Sequence, residues 1–318
     1  MSSGAVRRLA ITLGDPRGIG PEVAQAAARI LAEQAGSAPE LLFVGPRGII
    51  DECVHRLHAA GEWQRGQDAA AAGLAAGCAI EAAVGLALAG AVEGIVTAPI
   101  DKAALHAAGF AYPGHTEMLA ALSGGGPAVM MMAAEPTAGT AALRVVLATT
   151  HLALREVPGA FDADLLVTQA QVTYLALQHQ WSIAQPRIAL CAFNPHASDG
   201  GLFGDEEQRI YQPAMERLRA LRMPVHGPIP ADTVFVRALR GEFDAVIAPY
   251  HDVGMAGFKT ATFGRGVNVT LGLPFVRTSP DHGTAMDIAG LGLADASSML
   301  AALRLADRLA GARSGVAP

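Results

Sequence analysis

The sequence predicts an α/β protein with a mixed sheet, on three observations. Short runs rich in Val, Ile and Leu recur along the chain, as strands buried on both faces require. Alanine-rich stretches of helical character separate them. Two of the runs stand too close together for a crossover helix and should pair as an antiparallel hairpin, which disfavours a purely parallel sheet.

The elements follow in order. A strand over 9–13 leads into Gly14-Asp15-Pro16-Arg17-Gly18-Ile19-Gly20, and a helix over 21–34 follows that turn. Strands over 41–44 and 94–98 flank an alanine-rich helix around Glu81. The glycine-rich segment 123–127 reads as a loop or hinge. The runs 128–133 and 143–149, separated by a segment holding Pro136 and Gly139, form the expected hairpin. Helix over 162–178, strand over 187–193, helix over 205–221, strands over 245–249 and 267–271, and a last helix over 297–310 complete the pattern. That last helix has a serine at its start and apolar spacing through Leu300 and Leu303.

Length and composition bound the function. The chain has 318 residues, room for two ordinary domains or one large one. Apolar residues make up 51%, charged residues 16%, and the net charge is -6. A disordered polyelectrolyte and a basic nucleic-acid binder are thereby excluded, and a small molecule is the expected partner. Cys53, Cys78 and Cys191 give neither a disulfide framework nor a thiolate zinc site and suit a reducing cytoplasm. The start is too briefly apolar for a secretory signal, and the weakly apolar stretch 69–92 is cut by Glu81, so it reads as a soluble helix and no membrane partner is expected.

Three of the apolar runs are followed by histidine: His151, His196 and His251. In open α/β sheets the ligand crevice lies outside the carboxyl ends of the strands, so these imidazoles are expected to converge. Three neutral imidazoles hold a divalent cation while leaving positions open for substrate oxygens, a catalytic arrangement. Asp252, next to His251, is placed to orient it.

A second group is anion-directed. His115 and Thr116 in Gly114-His-Thr-Glu117, with Lys259, Asn268 and Arg277 downstream, offer two cations with amide, hydroxyl and imidazole donors for a phosphate or carboxylate. The glycine turn at 14–20 lacks the dinucleotide Gly-x-Gly-x-x-Gly spacing. Asp281-His282-Gly283-Thr284-Ala-Met-Asp287-Ile-Ala-Gly290 is the better nucleotide candidate, since its small residues allow close backbone approach and Asp287 accepts from ribose hydroxyls.

Taken together, the motifs resemble the 4-hydroxythreonine-4-phosphate dehydrogenase family of vitamin B6 (pyridoxine) biosynthesis. They run nearly end to end: Ile11-Thr-Leu-Gly-Asp-Pro-Arg-Gly-Ile-Gly-Pro-Glu22, Thr97-Ala-Pro-Ile-Asp-Lys102, Pro113-Gly-His-Thr-Glu117, Ala148-Thr-Thr-His-Leu-Ala-Leu-Arg155, Asn194-Pro-His-Ala197, Gly227-Pro-Ile-Pro-Ala-Asp-Thr233, Tyr250-His-Asp252 and Val267-Asn-Val-Thr-Leu-Gly-Leu-Pro-Phe-Val-Arg-Thr-Ser279.

The resemblance implies a two-domain isocitrate/isopropylmalate dehydrogenase-like α/β fold with mixed sheets and an interdomain active-site cleft. Residues 1–112 with 252–318 are expected to form a discontinuous domain on the NAD side, and 113–251 a central domain for dimerisation and metal. It further implies a cytoplasmic homodimer whose active site is shared between subunits. One divalent cation per site (Zn, Mg, Co or Mn) is expected on His151, His196 and His251, contributed from both subunits. Substrate is expected on His115, Thr116, Lys259, Asn268 and Arg277, and NAD at His282, Gly283, Thr284 and Asp287. Asp232 and Lys259 are the expected catalytic residues, Asp232 as proton acceptor or substrate-amine partner.

The implied reaction is NAD-dependent oxidation of a phosphorylated 3-hydroxy acid such as 4-phosphonooxy-threonine, with decarboxylation of the resulting keto acid. Asp101, Val253 and Ser198-Asp199 depart from the biosynthetic pattern, which bears on substrate identity more than on reaction type. Relatives acting on phosphorylated threonate or erythronate, or on aromatic cis-dihydrodiol carboxylates, are therefore alternatives. A metal-dependent hydrolase is the alternative of another class.

Overall fold

The computed structural model describes residues 6–34, 38–262 and 264–313, Arg313 by its backbone only. The outermost residues of the expected domains, 1–5 and 314–318, lie outside the described residues. The chain divides into two compact units, one ending at Ala128 and resuming at Leu273, the other spanning Val129–Gly272. The boundaries thus fall later than 112 and 251. Helix packing explains the first shift and strand pairing the second, as the elements show.

The first unit begins β1 (Arg8–Thr12), α1 (Gly20–Gln34), β2 (Glu40–Gly45), β3 (Leu57–Ala59), α2 (Ala69–Leu88), β4 (Gly94–Thr97), α3 (Lys102–Ala107) and α4 (His115–Leu122). Met118 and Leu119 of α4 are fully buried in the same core as Ile80 and Val84 of α2, which keeps residues past 112 in this unit. After α4, Gly125 N–H donates back to the Ala120 carbonyl at 2.8 Å, closing the helix in the expected glycine-rich loop.

The second unit holds β5 (Val129–Ala134), β6 (Leu143–Thr149), α5 (Val157–Ala160), α6 (Ala163–Gln180), β7 (Ile188–Cys191), α7 (Gln212–Ala220), β8 (Val225–Ile229), α8 (Ala231–Leu239), β9 (Ala245–Tyr250), α9 (His251–Thr262) and β10 (Val267–Leu271). Its strand order is β10-β5-β6-β9-β7-β8. β10 pairs antiparallel with β5 over Val267–Leu271, so the unit ends only after that strand. β5 and β6 form the expected hairpin, while β6, β9, β7 and β8 run parallel.

The chain then returns to the first unit as β11 (Val276–Pro280) and α10 (Ser297–Arg313). The strand order there is β3-β2-β1-β4-β11, and every pair is parallel. The sheet is therefore mixed in the second unit and wholly parallel in the first. At the start of α10, Asp295 Oδ1 accepts Ser297 N–H at 2.9 Å, a carboxylate reaching two residues ahead to an otherwise free helix N–H.

α2 is long and apolar enough to cross a membrane by length and composition. Half of it is buried within the unit, with Ala72, Ala75, Ala79, Ile80 and Ala83 almost inaccessible.

Candidate functional site

Register places two of the histidines side by side. β6 and β9 are parallel neighbours with Thr149 opposite Tyr250, so the residues just beyond them emerge together. Thr149 Oγ1 donates to the Pro249 carbonyl at 2.8 Å and ties the strand ends. The His151 and His251 rings consequently sit 5.6 Å apart, centroid to centroid, tilted by 39°. They line a cavity of about 170 Å³ with Thr149, Tyr250 and Asp252. Asp252 Oδ1 stands 2.8 Å from His251 Nδ1, a pairing that places the proton on Nδ1 and leaves the Nε2 lone pair for a ligand.

His196 follows β7, the strand on the other side of β9. The structure does not bring it to the other two: among the described residues no three His, Cys, Asp or Glu side chains are grouped to hold a metal ion. His196 is exposed on a loop whose backbone is left-handed at His196 (φ 54), Ala197 (55), Ser198 (68) and Asp199 (44). Such backbone is unfavourable by roughly 1–2 kcal/mol per non-glycine residue. His151 shares it, with φ 54. Strain of this kind gathers at functional sites. Two imidazoles with one available lone pair fixed by Asp252 fit part of a cation site.

The anion-directed residues of the first unit do meet. Arg277 on β11 is buried, with Nη2 donating to Thr97 Oγ1 at 2.7 Å at the end of β4. Burial lowers the guanidinium pKa from 12.5 to about 10, while Glu117 opposes the shift. His115 opens α4, and its buried Nε2 has no hydrogen-bond partner among the described residues. Burial, then the positive charges of Arg277 and Lys102, hold His115 well below the usual imidazole range, so it is neutral. Gly114 leaves room there: a Cβ would stand 3.4 Å from both Glu117 Oε2 and Lys102 Cε. A buried cation, a neutral imidazole with an unsatisfied ring nitrogen and the Thr116 hydroxyl on the same helix turn make a receptor for an anion.

Beside them Arg17 forks onto Asp15 Oδ2 at 2.7 Å and Asp101 Oδ2 at 3.0 Å, and Asp101 caps α3 through Ala103 N–H at 2.9 Å. The role of Lys102 as a neighbouring charge was not singled out from the sequence, although it closes the Thr97–Lys102 motif. Gly14 is required here: its φ is +69, and a Cβ would lie 2.2 Å from the Pro99 carbonyl oxygen.

The nucleotide candidate loop lies against the start of α1. Ile19 N–H donates to the Thr284 carbonyl at 2.9 Å and Gly290 N–H to Glu22 Oε2 at 3.1 Å. A Cβ on Gly18 would stand 2.6 Å from that Thr284 oxygen, so only glycine fits. Next to it opens a cavity of about 1090 Å³ at the carboxyl ends of β1 and β2, lined by Gly18, Arg29, Arg47, Trp63, Arg65 and Gly290 among others. His282, Gly283, Thr284 and Asp287 do not line it; their neighbours Ala289, Gly290 and Gly292 do. His282 Nδ1 lies 3.0 Å from the Gly283 carbonyl, and Asp287 is exposed. Sequence reading missed the arginines and Trp63, whose buried Nε1 lacks a partner among the described residues, because Arg29 sits within α1 and Arg47, Trp63 and Arg65 on turns and loops, with no motif of their own.

The remaining residues belong to the second unit. Lys259 is exposed in the last turn of α9, Asn268 is half-buried on β10 opposite Met132, and Asp232 is exposed in the first turn of α8.

Comparison with known proteins gives a consistent picture. Residues 21–306 match the family described as "Pyridoxal phosphate biosynthetic protein PdxA". A 4-hydroxythreonine-4-phosphate dehydrogenase of Paracoccus denitrificans is 42% identical, over 96% of this chain and 99% of that protein. The crystal structure of a 4-hydroxythreonine-4-phosphate dehydrogenase from Klebsiella pneumoniae superposes with a TM-score of 0.85 at 38% identity, covering 97% of this chain and 99% of that one. Isocitrate dehydrogenase of Methylococcus capsulatus, 14% identical, shares the fold with a TM-score of 0.56, covering 97% of this chain and 87% of that one.

Proposed function

Given that the chain belongs to the PdxA family of pyridoxal phosphate biosynthetic proteins, whose curated members are named as dehydrogenases, we propose that it oxidises a phosphorylated 3-hydroxy acid such as 4-phosphonooxy-threonine. The reading includes NAD as oxidant, a divalent cation at the reacting hydroxyl, and decarboxylation of the keto acid. The observation that carries it is the His151–His251 pair at adjoining strand ends, in a chain that also builds a buried Arg277 anion receptor.

When bound, the cation supplies Lewis-acid polarisation of the hydroxyl and NAD supplies the hydride acceptor. His151, His251 and His196 hold the cation, with Asp252 fixing the His251 tautomer. Arg277, His115 and Thr116 fix the anionic end of the substrate and hold the reacting carbon in place. Lys259 and Asn268 are substrate-binding residues in the same reading. Asp232 accepts the hydroxyl proton as hydride leaves the carbon, and Lys259 returns a proton to the carbon that has lost carbon dioxide.

The 1090 Å³ cavity takes the adenosine end of NAD: its size suits a nucleotide, Trp63 offers a stacking face, and Arg29, Arg47 and Arg65 suit phosphates. The end of the Asp281–Gly290 loop, through Ala289 and Gly290, closes one side, and His282, Gly283, Thr284 and Asp287 earlier in that loop are the proposed NAD-binding residues.

The assembly proposed is a homodimer. Large apolar side chains flank two of the histidine loops in the open: Leu152 is 44% exposed, Leu154 68%, Leu202 77% and Phe203 50%. A second copy would cover them and supply the missing cation ligand.

The test is NADH formation from 4-phosphonooxy-threonine with added Co²⁺, measured against phosphorylated threonate and an aromatic cis-dihydrodiol carboxylate. The expected result is fastest turnover on a phosphorylated acid, lost on chelation. Turnover on the dihydrodiol alone would reject the substrate reading, and product formation without NADH would reject the dehydrogenase in favour of a hydrolase.

A further inference from the structure

A buried carboxylate that none of the roles above uses, Glu207, sits beneath the loop that carries His196. It stands 8% exposed at the start of a single π turn, Glu207–Tyr211, before α7. Turns of this kind are unusual in helices and concentrate at functional positions. Glu207 Oε1 accepts the backbone N–H of Phe193 at 2.9 Å and of Asn194 at 2.8 Å. Its Oε2 accepts Asn194 Nδ2 at 2.9 Å and the Ser198 hydroxyl. One carboxylate therefore grips the loop on both sides of His196.

The loop needs such a grip. Backbone at Ser198 and its neighbours is left-handed through five successive residues, His196 to Gly200, a conformation that L-residues adopt only when their surroundings impose it. Tyr211, from the same π turn, donates its hydroxyl to the Cys191 carbonyl at 2.7 Å and fixes the end of β7 from which the loop departs. The histidine ring is exposed at the outer surface of this turn, while Ser198, two residues on, points inward and is 4% exposed. Asn194 Nδ2 also donates to Glu206 Oε2 at 2.6 Å, so two carboxylates hold that side chain.

We propose that Glu207 is a positioning residue that sets the left-handed turn and so aims His196 at a divalent cation. The proposal rests on His196 being a cation ligand. Glu207 itself touches neither substrate nor cation. Replacing the carboxylate by an amide of the same shape turns an N–H donor toward these donors, frees the turn to relax, and lets the imidazole wander.

The experiment titrates Co²⁺ into metal-free, full-length protein by calorimetry, with thermal unfolding and NAD binding as controls. Wild type, Glu207→Gln, His196→Ala and the double variant are compared. Glu207→Gln is expected to weaken Co²⁺ binding at least tenfold with NAD affinity unchanged. The double variant should bind no more weakly than His196→Ala alone, since a mispositioned ligand and an absent one are the same loss.

Wild-type Co²⁺ affinity in Glu207→Gln, with His196→Ala weakened, would overturn the proposal and spare the ligand reading. Additive losses in the double variant would also overturn it, because Glu207 would then act on the protein at large. Wild-type affinity in His196→Ala would remove the ligand reading and the proposal with it. Should Glu207→Gln fail to fold, Ser198→Ala takes its place, with a threefold loss expected and wild-type affinity refuting.

Discussion

Replacing Arg277 by methionine should leave the fold as stable as before, or more so, while crippling substrate binding. The guanidinium is 2% exposed, and burial brings its pKa from 12.5 to about 10. That drop amounts to about 3 kcal/mol against the charged form in the folded protein, recovered when the charge is removed. Against it stand its lost hydrogen bonds, that to Thr97 among them, and the hydroxyl left behind, which take back about 1–3 kcal/mol. The net change lies between zero and about 2 kcal/mol in favour of the fold, because methionine fills similar space without a charge.

Substrate, by contrast, loses a charge-assisted bond of about 1.5–3 kcal/mol, which is a rise of about 10- to 100-fold in substrate KM. Thermal unfolding at pH 7 measures the first effect, and NADH formation with substrate and NAD varied in turn measures the second. The NAD KM should hold steady. A loss of stability beyond about 2 kcal/mol with unchanged substrate KM would show Arg277 to be structural and refute the anion receptor.

Two further outcomes are expected. His115 is held neutral well below its ordinary 6.5, so the folded state binds fewer protons than the unfolded one below that value. Stability should therefore fall as pH drops from 6.5 toward 5, and His115→Gln should shallow the slope of thermal midpoint against pH. His55 is lowered in the same direction, so it is the difference between variant and wild type that isolates His115, and identical slopes would contradict the assignment. In Gly18→Ala, the new methyl would press on the Thr284 carbonyl oxygen at 2.6 Å and displace the Asp281–Gly290 loop. NAD affinity, read by fluorescence quenching, should drop at least tenfold while Co²⁺ binding stays; unaltered NAD affinity would place the nucleotide elsewhere.

The long apolar runs were legible because strands buried on both faces leave no other choice of residues. β11 was not, since Arg277, Thr278 and Ser279 make it look polar. Its polar side chains turn inward, Thr278 Oγ1 donating to the Ala302 carbonyl at 2.9 Å and Arg277 Nη2 to Thr97 Oγ1. β8 holds Gly227 and Pro228, which read as a turn, yet it lies at the end of its sheet where a proline is tolerated. α9 starts on His251 itself and contains Gly254, whose lack of a side chain reads as loop. A Cβ there would stand 2.4 Å from Leu147 Cδ2, so the glycine serves close packing on β6.

The pairing of His151 with His251 follows from strand ends alone. His196 stays apart from that pair, on a turn gripped by Glu207, thirteen residues past Asn194, and no local spacing announces that. The arginines around the large cavity are scattered between residues 17 and 65 and meet only because β1 and β2 are parallel neighbours.

X-ray absorption at the cobalt edge of the Co²⁺-loaded full-length protein tests the cation site most directly. The account predicts scattering from three imidazoles at about 2.0–2.1 Å, falling to two in each of His151→Ala, His196→Ala and His251→Ala. A spectrum without imidazole scattering, or one unchanged by all three substitutions, would contradict it.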